Sequence, residues 1–77
     1  MKVHVVLIKP DGAVGMYDLL QWIKKGKMRG VPDPEAACGT SIRIFADGVL
    51  GEVADDDLAD ARRHGEVTVH GTREVSV

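Results

Sequence analysis

The chain has 77 residues, enough for one hydrophobic core and too few for a second domain, because chains of this size bury only about 60 % of their unfolded surface. Hydrophobic residues make up 44 % and charged residues 29 %, the balance of a soluble globular domain and not of a disordered tail or a membrane span. Ten Lys and Arg against twelve Asp and Glu give a net charge of -2, which argues against sequence-independent phosphate binding, normally the work of domains with a pI above about 9.

Aromatic residues are scarce, one each of Tyr17, Trp22 and Phe45, so the core must be aliphatic and base-stacking platforms are hardly provided for. The lone Cys38 has no partner for an intrachain disulfide, which points to a reducing compartment, the cytoplasm. The apolar run from Val3 to Ile8, broken by His4, is too short for the central segment of a signal peptide or for a membrane helix. No targeting segment is expected.

Val3, Val5 and Leu7 alternate with His4, Val6 and Ile8. Both faces are largely apolar, which predicts a strand buried on two sides at the centre of a sheet. Lys9-Pro10-Asp11-Gly12 has turn chemistry, with a short returning strand expected over Ala13 to Met16. From Tyr17 to Lys25 the period becomes helical, with Met16, Leu19, Leu20 and Ile23 on one face. Gly26 should end that helix in a left-handed C′ conformation behind Lys24 and Lys25.

Gly30 to Thr40 carries Pro32 and Pro34 and reads as a loop with one capped turn at Asp33-Pro34-Glu35. Ile42, Ile44 and Ala46 alternate with polar or aromatic neighbours up to Asp47-Gly48, the chemistry of a type I′ hairpin returning through Val49 to Val53. Asp55, Asp56 and Asp57 ahead of Leu58 and Ala61, with Arg62, Arg63 and His64 behind, predict a second short helix whose start is capped by acids. Val67 to His70, a Gly71-Thr72 turn and Arg73 to Val77 predict a closing hairpin with Val75 and Val77 inward. The sum is a single α+β domain over residues 1–77, two layers deep, with a mostly antiparallel sheet and two short helices on one face.

Motifs for chemistry are absent. His4, His64 and His70 are scattered over a strand, a helix end and a turn, without the paired spacing of a zinc site. The consecutive acids Asp55 to Asp57 point about 100° apart on a helix, unlike the alternating ligands of a calcium loop. Cys38 has no local nucleophile signature and is expected to be a partly buried thiol. No catalytic residue, cofactor or metal is expected.

One feature is sharper. Lys24, Lys25, Lys27 and Arg29 cluster beside Trp22, while Glu52, Asp55, Asp56, Asp57 and Asp60 form an acidic set. Such segregation can steer a charged partner or orient two copies head to tail.

Residues 19–63 carry LLQWIKKGKMR, then SIRIFADGVLGEV, then ADDDLADARR. A helix ending Trp-Ile-x-x-Gly-Lys, a wing, and an Asp-Asp-Leu-x-x-x-Arg helix resemble the latter part of excisionase-like winged-helix DNA-binding proteins. The resemblance implies that Gln21, Trp22, Lys24 and Lys25 enter the major groove, while Arg43 and the 47–48 turn form the wing. The strand VHVVLI and the turn KPDG stand where such proteins place a scaffold helix. The preferred expectation is therefore a non-enzymatic protein-interaction module, an accessory, inhibitor or regulator of phage or mobile-element kind, binding a protein partner and forming a homodimer. DNA binding is the alternative.

Overall fold

The computed structural model describes residues 1–75. In chain order its elements are β1 (Lys2–Lys9), α1 (Gly12–Trp22), β2 (Val31–Pro32), β3 (Thr40–Ser41), β4 (Arg43–Phe45), β5 (Gly48–Ala54), α2 (Leu58–Ala61) and β6 (Glu66–Glu74). Strands β4, β5, β1 and β6 lie side by side in that order, every pair antiparallel, and β2 with β3 makes a separate small ribbon. The α+β architecture and the central position of the first strand agree with the sequence reading.

Opposed residues of an antiparallel ladder project to the same face. Ile8 faces Val49 and Val67, Val6 faces Gly51 and Val69, and His4 faces Val53 and Thr72. Against this face α1 sets Leu19 and Trp22, α2 sets Ala61, and the chain after α1 sets Met28. Each large aliphatic side chain buried here contributes about 1.5–3 kcal/mol. The other face carries Val3, Val5, Leu7, Leu50 and Glu52.

The expected return strand over residues 13–16 is instead the first turn of α1, which begins at Gly12. Gly12 takes a φ of +71° and lets the chain pass from Pro10 straight into a helix. Val14, within the expected strand, and Tyr17, at the expected helix start, are 77 % and 64 % exposed. The helix continues as one wider turn through Lys27, in which Gly26 adopts the expected left-handed conformation.

The hairpin forms where expected, with its turn one residue earlier. Phe45 faces Gly48, so the turn consists of Ala46 and Asp47, and neither has the positive φ of a type I′ turn. Gly48 serves a different need: a Cβ there would stand 2.8 Å from the Ile8 carbonyl oxygen. The loop of residues 33–39 closes as a turn, with the Asp33 carboxylate accepting from the Glu35 N–H at 3.0 Å.

The second helical segment runs from Asp55 to His64, with α2 flanked by 3₁₀ turns at Asp55–Asp57 and Arg62–His64. Its acids are not side-chain caps. Ala54 holds the N-cap position, no side chain caps either turn, and the Asp55 carboxylate is bound to His4.

The closing hairpin does not exist. Residues 66–74 form one continuous strand paired along all of β1, in which Gly71 faces Val5 and Val69 faces Val6. His70 is the extra residue of a β-bulge, and the bulge absorbs the irregularity that Gly71-Thr72 suggested was a turn. Val75 donates its N–H to the Met1 carbonyl at 2.7 Å, while Val77, expected to face inward, lies outside the described residues.

Candidate interaction surface

Strand order leaves β6 at one margin of the sheet, and among the described residues no strand pairs with its outer side. A margin strand presents unpaired N–H and C=O groups along its length and is a ready template for another chain. β6 is nine residues long, about 30 Å at the usual rise per residue. Val69 on this margin is 41 % exposed.

The inner side of β6 is firmly tied. Arg73 donates through Nε and Nη2 to the two carboxylate oxygens of Glu52 on β5, each at 2.8 Å. This bidentate bond keeps the guanidinium charged, with its pKa raised by hydrogen bonding to Glu52 and by that charge. Glu52 is only 5 % exposed, so the pair satisfies a carboxylate that would otherwise be stranded. The two side chains meet across β1, on the face of Val3 and Val5.

On the opposite face His4 is buried between two partners, Asp55 Oδ1 at 2.6 Å from Nε2 and Thr72 Oγ1 at 2.8 Å from Nδ1. An ionised carboxylate can only accept, so Nε2–H donates to Asp55, while Nδ1 pairs with the Thr72 hydroxyl. The hydrogen bond from His4 holds the Asp55 carboxyl below its ordinary pKa. His4 thereby links β1, β6 and the start of the second helical segment.

The residues singled out from the sequence lie elsewhere, and three of them, Gln21, Trp22 and Lys25, share one cleft. Trp22 is 5 % exposed, with its indole N–H donating to Asp60 Oδ2 at 2.7 Å and its ring centroid 5.2 Å from that of His64. It fastens α1 to the second helical segment and is a core residue. Gln21, Lys24, Lys25 and Arg29 are exposed. Gln21 and Lys25 line an open cleft of ≈ 410 Å³ with Asp18, Asp60, Arg63 and His64.

Lys27 reaches Asp57 at 3.6 Å and Arg43 reaches Asp33 at 3.8 Å. The basic and acidic sets therefore meet within one molecule at Lys27 and Asp57, which weakens the separation that head-to-tail docking requires. Arg29 gives its backbone to the sheet: its N–H donates to the Glu52 carbonyl at 2.8 Å and its carbonyl accepts from the Glu52 N–H at 2.7 Å.

Cys38, expected to be partly buried, is exposed. Its Sγ donates to the Thr40 carbonyl at 3.2 Å. Among the described residues no group of three His, Cys, Asp or Glu side chains converges as a metal site, and no helix is long and apolar enough to cross a membrane.

Sequence reading missed the Glu52–Arg73 and His4–Asp55–Thr72 links because each joins residues at least 21 positions apart. One local signal was available. His4 falls on the same strand face as Val6 and Ile8, and a polar group in such a place requires partners.

Comparison of the chain with protein-family models, with curated proteins and with solved structures finds no match.

Proposed function

We propose that this chain is a non-enzymatic protein-interaction module whose binding element is the outer edge of β6, which takes an extended segment of a partner protein as an added strand. The observation that carries the reading is a nine-residue margin strand with its outer side unpaired among the described residues. In strand addition, main-chain hydrogen bonds supply affinity and alternate side chains supply selectivity. Ties from Thr72 to His4 and from Arg73 to Glu52 keep the strand in its bound conformation beforehand, which lowers the ordering cost of association.

The test is co-purification from native extract with and without nuclease, comparing the wild-type chain with Val69→Pro. A protein retained by the wild type after nuclease treatment and lost with the folded variant supports strand addition. Equal retention by both contradicts it.

A second reading, duplex DNA binding by an excisionase-like protein, draws on Lys24 and Lys25, which are exposed and, among the described residues, pair with no carboxylate. Replacing both by Ala should reduce the salt slope of binding by about two units if each contacts a phosphate. Absence of binding to any duplex at low salt removes this reading.

A further inference from the structure

Resting on the strand-addition reading, we propose that a partner for β6 is β6 of a second copy, paired antiparallel about a two-fold axis that places Glu66 of each copy opposite Arg73 of the other. Such a pairing would extend the four-stranded sheet into a continuous eight-stranded one.

The bulge and the charges together decide the register. In a regular strand, successive side chains alternate faces, so a two-fold axis normal to the sheet can only oppose residues separated by an even number of positions. For this strand, full overlap would then set Glu66 against Glu74, a like-charge pair. The extra residue at His70 shifts the phase. Glu66, Thr68, Gly71 and Arg73 face the same side as Lys9, Leu7, Val5 and Val3, while Val67, Val69, Thr72 and Glu74 face the side of Ile8, Val6, His4 and Lys2.

Across the bulge, same-face pairing is met by Glu66 with Arg73, Val67 with Thr72, and Thr68 with Gly71, each pair occurring twice. The register with Thr68 opposite Arg73 and Val69 opposite Thr72 obeys the same rule but sets no cation against Glu66, so the charges select the first. The two bulges meet at the axis, where exposed Val69 is brought beside His70 of the other copy. A bulge ordinarily protects a sheet margin by breaking the ladder. Here, two copies of one bulge coincide, and the charge pattern of the strand becomes self-complementary only because of it. Arg73 is half exposed beyond its bond to Glu52, which leaves the guanidinium room for a second carboxylate.

Disulfide trapping in a Cys38→Ser background tests this, since Cys38 is the one cysteine of the chain and is exposed. Equimolar Thr68→Cys and Gly71→Cys proteins are mixed under oxidised glutathione, and Thr68→Cys with Thr72→Cys is the control, its two positions being on opposite faces. A Cβ at position 71 meets nothing within 4 Å. Cross-linked heterodimer in the 68/71 mixture and little in the 68/72 mixture is the expected result. Sedimentation of cysteine-free protein should show a dimer, weakened about tenfold by Glu66→Lys, which turns two attractive cross-strand pairs into repulsive ones.

A dimer that cross-links equally in both mixtures, or that ignores Glu66→Lys, overturns the proposed pairing. So does a monomer at millimolar concentration. If the monomer still retains a protein in a Val69-dependent manner, the strand-addition reading survives without self-pairing, and loss of both overturns both.

Discussion

The outer sides of β5 and β6 are treated in opposite ways. Beyond β5 the outer side is closed twice, by β4 opposite Gly48 to Leu50 and by the backbone of Arg29 opposite Glu52. Beyond β6 no strand follows among the described residues. The closed margin is also the tightly packed one: a Cβ on Gly51 would meet Met28 Cγ and Sδ at 2.5 Å and the Arg29 carbonyl oxygen at 2.8 Å. Met28, next to the closing residue Arg29, is buried in the core, although β4 itself is exposed, while Glu66, Val69 and Thr72 to Glu74 along β6 are exposed. Disturbing the first margin should therefore cost stability, and disturbing the second should cost association.

The largest effect is expected at Met28, buried against Gly51 in the core. Met28→Ala should cost about 2–5 kcal/mol, and denaturant titration should show it together with faster amide exchange at Arg29 and Glu52. A loss below about 0.5 kcal/mol would mean that this margin does not depend on the packing described.

Next comes Glu52, which joins the two halves of the comparison by anchoring Arg73 of β6 from β5. Glu52→Gln removes the charge and turns an amide donor toward the guanidinium, at a cost of about 1.5–3 kcal/mol. The same variant should loosen the Arg73 end of β6, visible as line broadening of its amides.

A smaller, pH-dependent effect follows from Asp55 and Asp33, both held below the ordinary carboxylate pKa, the first by its hydrogen bond from His4 and the second by the Ser41 hydroxyl and the Glu35 N–H. A depressed folded-state pKa stabilises the fold above the unfolded value of 3.8, and that stabilisation fades as pH falls below it through the folded-state values. Melting temperature should thus drop more steeply below about pH 4 for the wild type than for Asp55→Asn, and parallel curves would contradict the His4–Asp55 link.

Least affected in stability should be Val69→Lys on the open margin, within about 0.5 kcal/mol of wild type as for an ordinary surface change. Association by sedimentation should nevertheless fall sharply, since two lysines are brought to the two-fold axis.

The central strand was legible because both faces of Val3 to Ile8 are apolar, and the helix stop at Gly26 because a left-handed glycine behind lysines is a local signal. The hairpin was legible as a hairpin, but its turn was shifted by one residue. Gly48 is required by the approach of the Ile8 carbonyl from β1, a partner 40 positions away, and no local rule contains that contact. The acids at Asp55 to Asp57 misled for the same reason, as the carboxylate expected to cap a helix binds a histidine 51 positions back. At Gly71 the local turn preference was overridden by pairing along all of β1. That one of the strands 2–9 and 73–77 would lie on an edge was legible, but which one depends on strand order, and the phase shift at His70 appears only in the register with Val5 and Val6.

The most direct test is residue-resolved amide exchange at low and high protein concentration. Self-pairing through the open margin requires the outward-pointing amides of β6 to gain protection with concentration while those of β4, β5 and Lys24 to Arg29 keep their rates. Exchange along β6 that is unchanged between the two concentrations, or protection gained at the β4 margin instead, would contradict it.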